Sequence, residues 1–314
     1  MTSAPRRLFT YLPVPLRAPL AALLVGTSTL LHVPVLLVVA ITKLLLPLPA
    51  IRPRLDRALM LIAESWIAVN SALIDAFTRT RFVVEGVQGL RYGGHYLVFA
   101  NHQSWVDIPV LQKVFNRRIP LLRFFLKSQL FWVPLLGLAW WALDFPFMKR
   151  YSRQQLARRP ELAGRDLAVT RRACEKFRHI PVSVMNFVEG TRFTPGKHAA
   201  QGETYRHLLR PKAGGVAFVV GAMGDAIESV LDVTVSYDVG RPTLADLFAD
   251  RIGEVRVHVR ERALPAGFAG GDYEADPAFR ERFQAWINGL WQEKDALLDT
   301  WAAPPHPAAG PEAS

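Results

Sequence analysis

The sequence predicts an α/β fold, in which a mixed sheet is flanked by helices and follows an N-terminal membrane-anchoring helical segment. Three observations support this prediction: a long apolar stretch near the start, an alternation of short apolar runs with amphipathic stretches, and polar signatures directly after two of those runs. Strands that alternate with helices are typical of a sheet covered by helices. We divide the 314 residues into N-terminal membrane-associated helices (1–78), an α/β domain (79–301) and a disordered tail (302–314).

The first apolar stretch covers residues 18–42 and contains no Asp, Glu, Lys or Arg. It exceeds the roughly 20 apolar residues with which a helix crosses a bilayer. Pro34, near its middle, is expected to kink or break that helix. Basic residues flank the stretch on both sides, and positive residues favour the cytoplasmic side. The stretch is therefore predicted either to span the membrane or to bend near Pro34 and re-enter the same leaflet, and both alternatives leave the remainder in the cytoplasm.

The rest of the chain alternates between strand and helix patterns. Residues 55–77 predict an amphipathic helix at the membrane interface or on the domain, or a plain core helix. Strands are predicted at 81–86, 96–101, 143–148, 182–190, 231–238 and 254–261. Helices are predicted at 105–115, 165–178, 209–223 and 275–301. Residues 122–145 are rich in aromatics and leucine, which indicates either a buried helix or a surface that enters the lipid interface or lines a fatty-chain pocket.

Composition narrows the classes of function. The chain has a net charge of +11 and is 50% hydrophobic, which favours an anionic lipid partner over nucleic acid. A single cysteine, Cys174, excludes an intrachain disulfide and a cysteine metal cluster. The sequence has no nucleophile elbow, no P-loop and no convincing metal-ligand spacing, so neither an acyl-enzyme nor a metal-activated water is predicted.

The first polar signature is NHQSWVD (101–107), at the end of the apolar run YLVFA. His102 lies on the predicted strand-to-helix loop, where Asp107 can hold one ring nitrogen and leave the other free to take a proton. The alternative is a capping box, in which the Asp107 carboxylate returns to the backbone N–H of Ser104. Both roles can coexist.

The second signature is FVEGTRFTPGK (187–197), again after a predicted strand. Gly190 lets the backbone approach a ligand, Thr191 offers a hydroxyl, and the guanidinium of Arg192 suits phosphate oxygens. An ordinary surface turn is the alternative. Two further cations, Lys127 and Arg150, lie in apolar surroundings, where they need an anionic partner or must extend to the membrane edge.

Together these stretches resemble the glycerophospholipid acyltransferase family, of the 1-acylglycerol-3-phosphate acyltransferase type. NHQSWVD matches the N-H-x4-D block of the family, FVEGTR matches its E-G-T-R block, and the segment 127–150 is similar to the block between them. Asp232 stands where the fourth block usually has a proline. Together with E-G-T-R-F-T (189–194) and LLRPKAGG (208–215), this departure is similar to a lysocardiolipin-acyltransferase-like branch with bacterial inner-membrane members, and it leaves the acceptor lipid open.

The resemblance implies a membrane-bound enzyme of the inner (cytoplasmic) membrane that converts lysophosphatidic acid to phosphatidic acid. His102 is the expected general base and Asp107 its orienting partner, while acyl-CoA or acyl carrier protein is the co-substrate and no cofactor or metal is needed. The residues expected at the acceptor phosphate are Lys127, Arg150, Glu189, Gly190, Thr191 and Arg192. Lysophosphatidylglycerol or lysocardiolipin is the alternative acceptor, and a non-catalytic lipid-binding protein is the alternative class; nucleic acid is not an expected partner.

Overall fold

A mixed six-stranded sheet forms the centre of the fold. The structure is a computed structural model that describes residues 7–46, 48–149, 158–159, 163–178 and 180–302. The strands of this sheet are β1 (Arg81–Glu85), β2 (His95–Ala100), β3 (Leu122–Phe124), β6 (Val182–Phe187), β7 (Ser229–Tyr237) and β8 (Glu254–Arg262). Their order is β1-β8-β7-β2-β6-β3, with β7 and β8 antiparallel and the other neighbours parallel. Two short strands, β4 (Leu126–Lys127) and β5 (Phe147–Met148), pair separately.

Helices cover both faces of this sheet, which confirms the predicted fold class. The helices are α1 (Val14–Leu45), α2 (Arg52–Phe77), α3 (Asp107–Phe115), α4 (Leu136–Ala142), α5 (Ala163–Phe177), α6 (Pro195–Ala200), α7 (Ala213–Met223), α8 (Leu244–Phe248) and α9 (Pro277–Ala302). Helices α5, α7 and α9 share one apolar cluster with the sheet, and α3 shares a second cluster with the opposite face. Because side chains alternate along a strand, β7 contributes Val230 to the first cluster and Leu231 to the second.

The segment 122–145 differs most from its prediction. A buried helix there is wrong: the chain forms β3, β4, a 3-10 helix (Ser128–Trp132) and only the short helix α4. Pro134 interrupts helical hydrogen bonding, and Leu135 adopts a left-handed conformation at φ 63° before α4 begins. The predicted strand at 143–148 is likewise limited to β5, since Asp144 at φ 62° turns the chain first.

The N-terminal helices form an antiparallel pair. Helix α1 continues through Pro34, so the predicted break is wrong, and a kink at Pro34 stays a prediction. Trp66 of α2 donates from Nε1 to Thr29 of α1 at 3.1 Å. Both helices are long and apolar enough to cross a membrane, and only 22% of the most apolar part of α1 is buried. The pair is therefore consistent with membrane association.

Candidate active site

Three strand ends converge at one edge of the sheet. Strand β2 lies between β6 and β7 and runs parallel to both, so the carboxyl ends of all three strands lie together. His102 follows β2, Glu189 follows β6, and Tyr237 is the last residue of β7. Ligands of open α/β sheets bind outside such carboxyl ends.

Asn101 determines how the chain leaves β2. Its side-chain amide donates to the carbonyl of Val235 at 2.9 Å, and its Oδ1 accepts from the backbone N–H of Val235 at 2.9 Å. The fully buried side chain thus takes the place of one residue in the ladder between β2 and β7. His102 therefore leaves the sheet at a fixed position.

The structure brings His102 and Asp107 together. Nδ1 of His102 lies 2.8 Å from Oδ2 of the fully buried Asp107. Because a carboxylate only accepts, this contact places the ring proton on Nδ1 and leaves the Nε2 lone pair free. The His102 side chain retains 12% exposure, and its ring stacks on Phe187 with centroids 3.8 Å apart. Nε2 is thus the nitrogen left for a substrate.

Asp107 also performs half of the predicted capping role. Its Oδ2 accepts from the backbone N–H groups of Gln103 at 2.7 Å and Ser104 at 2.9 Å. The hydroxyl of Ser104 accepts instead from Val106, so the reciprocal half of a capping box is absent and α3 begins at Asp107 itself. One carboxylate oxygen therefore serves both the loop and the His102 ring.

Tyr237 is the site residue that the sequence did not reveal. Its hydroxyl donates to the second carboxylate oxygen of Asp107 at 2.6 Å. Burial, with the nearby Asp107 charge, raises the pKa of Tyr237 well above its ordinary value, so the hydroxyl stays a donor. A polar residue that ends a buried strand was the available signal, but only the strand order shows which strand lies beside β2.

The loop after β6 is bound to His102 at both ends. The backbone N–H of His102 donates to Oε1 of Glu189 at 3.4 Å, and the N–H of Phe193 donates to the carbonyl of His102 at 2.8 Å. Glu189 is fully buried, and among the described residues its Oε2 has no hydrogen-bond partner. Burial raises the pKa of Glu189 to about 8, although backbone N–H groups of His102 and Leu209 oppose the shift. Its carboxyl is therefore largely protonated at neutral pH.

The remaining predicted loop residues have separate surroundings. Gly190 turns the chain at φ +71°, a conformation that favours glycine. The hydroxyl of Thr191 accepts from Lys197 at 2.7 Å, so it supports the loop. Arg192 stacks its guanidinium on Trp105 at 4.3 Å, and no carboxylate in the described part of the chain pairs with it. Its N–H groups are thus available to an anion.

The other two predicted cations are not joined to this group. Lys127 is exposed at the end of β4, and within the described residues no hydrogen bond or ion pair links it to His102 or Arg192. Arg150 lies outside the described residues. In the ranges that the structure describes, no group of three His, Cys, Asp or Glu side chains could hold a metal ion.

The departure at Asp232 belongs to the opposite face of β7. Lys294 of α9 is buried there and donates to Oδ1 of Asp232 at 2.6 Å and to the carbonyl of Val233 at 2.6 Å. Burial lowers the pKa of Lys294, and the Asp232 charge opposes that shift. Asp232 therefore fastens the last helix to the sheet and does not contact the His102 side chain.

A family model described as Acyltransferase matches residues 81–238, half of the chain. The chain belongs to the acyltransferase family. The matched region contains His102, Asp107, Glu189 and Arg192, together with β2, β6 and β7. These acyltransferase-family residues are the ones that the sheet edge brings together, whereas α1, α2 and α9 lie outside the matched region.

Curated members of the acyltransferase family are similar over most of this chain. Lysocardiolipin acyltransferase 1 of Mus musculus is 25% identical over 253 residues, which cover 76% of this chain and 62% of that protein. The 1-acyl-sn-glycerol-3-phosphate acyltransferase delta of Homo sapiens is 25% identical over 227 residues, which cover 68% of this chain and 54% of that protein. The chain thus spans less than two thirds of the length of these relatives.

A solved structure shows the same fold. The crystal structure of the 1-acyl-sn-glycerophosphate (LPA) acyltransferase PlsC from Thermotoga maritima matches with a TM-score of 0.52 at 18% sequence identity. The match covers 89% of this chain and 98% of that chain, so it extends beyond the region that the acyltransferase family model defines.

Proposed function

We propose that this member of the acyltransferase family transfers a fatty acyl group from acyl-CoA or acyl carrier protein to the free glycerol hydroxyl of lysophosphatidic acid. The observation that carries the proposal is the His102–Asp107 pair, whose free Nε2 lies beside the loop that presents Arg192. The named activities of the similar curated proteins support the same reaction class.

His102 acts as general base. Its Nε2 accepts the proton of the acceptor hydroxyl while that oxygen attacks the thioester carbonyl carbon. The C–S bond then breaks, and the imidazolium returns the proton to the leaving sulfur, which departs as the free thiol. Asp107 holds the ring and stabilises its transient positive charge throughout. The acyl group passes directly between substrates, so the reaction needs no protein nucleophile.

Arg192 holds the acceptor phosphate. Its planar guanidinium can donate two parallel hydrogen bonds to phosphate oxygens, and stacking on Trp105 limits its motion. The loop is bound to the backbone of His102, so the phosphate and the reacting hydroxyl have a fixed separation. Lys127 and Arg150 stay candidates for a wider phosphate site.

An aromatic row beside His102 offers an apolar path for the acyl chain. The ring of Phe187 stacks under His102, Phe124 lies 6.0 Å from Phe187, and Phe145 lies 6.5 Å from Phe124. Phe124 and Phe145 also belong to the cluster formed with α1, α2 and α4. The row therefore connects the reacting group to the N-terminal pair, which we propose faces the cytoplasmic leaflet of the inner membrane.

Another lysophospholipid is the second candidate acceptor. Lysocardiolipin acyltransferase 1 is among the similar proteins, so lysocardiolipin and lysophosphatidylglycerol belong in any substrate panel. Asp232 does not decide between them, because it pairs with Lys294 on the face of β7 away from Tyr237.

The test replaces His102 by alanine in the purified protein in detergent and measures thiol release with oleoyl donors and each acceptor. Loss of a general base is expected to lower kcat by about 100-fold or more. His95→Ala is the matched control. His95 begins β2, the strand that His102 follows, and it pairs with Glu228 at the end of β2 away from His102. Near wild-type thiol release by His102→Ala refutes the mechanism. If neither the wild type nor a variant releases thiol with any acceptor, the proposed activity itself is refuted.

A further inference from the structure

Lys212 lies against the loop that borders His102. Its backbone N–H donates to the carbonyl of Val188 at 2.8 Å, which fixes the residue beside the turn after β6. Its side chain then crosses Gly190: a Cβ built on Gly190 comes 3.2 Å from Cδ of Lys212 and 3.5 Å from its Nζ. The ammonium group is therefore next to the backbone of the loop that carries Arg192.

This ammonium is available to a ligand. Lys212 is exposed, and among the described residues its Nζ has neither a hydrogen-bond acceptor nor a carboxylate partner. Lys197 of α6, the helix that follows this loop, differs: its Nζ donates to the hydroxyl of Thr191 at 2.7 Å and to the carbonyl of Arg192 at 3.0 Å. Of these two lysines, Lys212 is the one whose charge is not already used to support the loop.

Two available cations therefore lie at one short loop: Arg192 belongs to it, and Lys212 lies against it. Gly190, which Lys212 covers, is two residues before Arg192, and the flanking residues Glu189 and Phe193 both bond to the backbone of His102. Among the described residues, no carboxylate forms an ion pair with Lys212 or Arg192. This edge of the site thus has an unbalanced positive charge.

We propose that Lys212 binds the acceptor phosphate together with Arg192, and that this pair selects a phosphate monoester over a phosphodiester. The inference rests on the proposed acyl transfer and specifies its acceptor. A terminal phosphate carries a charge of about −1.5 to −2 at pH 7 and has three free oxygens. It can engage the fork of Arg192 and still offer an oxygen to Lys212, whereas a diester has a single charge and two free oxygens.

The test compares lysophosphatidic acid, a monoester, with lysophosphatidylglycerol, a diester, in mixed micelles. Lys212→Met keeps an unbranched apolar chain over Gly190 and removes the terminal ammonium with its charge. We expect the KM for lysophosphatidic acid to rise about tenfold, the loss of one charge-assisted hydrogen bond, with kcat within about twofold. The KM for lysophosphatidylglycerol is expected to change by less than about twofold, because Arg192 alone satisfies the diester.

Two further variants separate local binding from general attraction. Arg210→Ala removes a positive charge two residues before Lys212. Because the Arg210 guanidinium donates to Thr204 within its own loop, this variant is expected to leave both KM values unchanged. Lys212→Arg is expected to retain the monoester preference. An equal rise in KM for both acceptors in Lys212→Met, or no rise for either, refutes the selection by Lys212 while leaving acyl transfer intact.

A binding measurement keeps the inference separate from turnover. In the His102→Ala background, lysophosphatidic acid is expected to bind about tenfold more weakly when Lys212 is also replaced by methionine. Equal binding by the two forms refutes the role of Lys212, whatever the activity of the enzyme. A different result refutes the proposed function: the wild type transfers an acyl group to none of the acceptors.

Discussion

Asp107 holds its orientation because donors surround both of its carboxylate oxygens. Two loop N–H groups and the His102 ring occupy Oδ2, and the Tyr237 hydroxyl occupies Oδ1. The loop amides cannot rotate independently, so the carboxylate presents a fixed acceptor to His102. Preorganised groups of this kind need no rearrangement as charge develops on the imidazole. Tyr237 is therefore a positioning residue, since it acts on His102 only through Asp107.

Tyr237→Phe tests this role by removing a single hydroxyl. The ring stays in place, so we expect kcat to fall about tenfold, as for a lost hydrogen bond to a charged group, with KM unchanged. Tyr205→Phe is the control, because Tyr205 is also buried and its hydroxyl is 3.5 Å from the carbonyl of Asn288, away from the His102–Asp107 pair. A rise in KM with constant kcat, or equal losses in both variants, contradicts a positioning role.

Glu189 predicts a pH dependence of stability. Its pKa rises from 4.5 to about 8 on folding because of burial, so the folded protein binds more protons than the unfolded chain between these values. Its contribution to stability is present at low pH and is lost as pH rises through about 8. Glu189→Gln cannot titrate, so its melting temperature is expected to fall less than that of the wild type between pH 5 and pH 8. Glu281 is exposed, so Glu281→Gln is the control and is expected to show the same change of melting temperature with pH as the wild type. If Glu189→Gln also shows the wild-type change, Glu189 is not a buried neutral carboxyl.

Individual strands were predictable because they are buried in a mainly parallel sheet and therefore appear as short apolar runs. The runs around Val98 and Val184 each form a strand close to its predicted range, and the strand around Val257 was predictable from its alternation of buried valines with polar residues. Strand order was not predictable, because it depends on pairing between distant segments. That is why His102 and Asp107, five residues apart, were predicted as partners, whereas Tyr237 was found only once β7 lay beside β2.

Apolar composition alone misled the prediction for the segment 122–145. Leucine and aromatic residues suit a helix core, but Pro134 and the turns at Leu135 and Asp144 divide the segment into short elements. Trp132 is 81% exposed and Trp141 is 47% exposed, which fits the predicted lipid-facing surface better than a buried helix. The pair Asp232 and Lys294 was equally hidden, since its members are distant in sequence and each resembles an ordinary surface charge.

At the scale of the whole molecule, α1 is attached to the α/β domain near both ends. Arg17, near its start, forms an ion pair with Asp250 at 3.5 Å, and Lys43, near its end, lies 3.7 Å from Asp144. A helix of this length extends about 48 Å, beyond the roughly 30 Å of a hydrocarbon core. A perpendicular span would carry one end to the far side of the bilayer and away from the domain. We therefore predict that α1 lies along the domain and does not span the bilayer.

Labelling of introduced cysteines tests this orientation. Cys174 is buried and burial raises the pKa of its thiol to about 12, so new thiols react selectively. Arg7→Cys and Arg54→Cys, both exposed, flank α1, and Glu281→Cys marks the domain. In vesicles with unequal inward and outward orientations, an impermeant maleimide is expected to label the same fraction at all three positions, because both ends of α1 stay on the side of the domain. If one flanking cysteine is labelled only in the vesicles in which the domain cysteine is protected, the two lie on opposite sides of the bilayer. That result contradicts this arrangement and establishes a spanning helix.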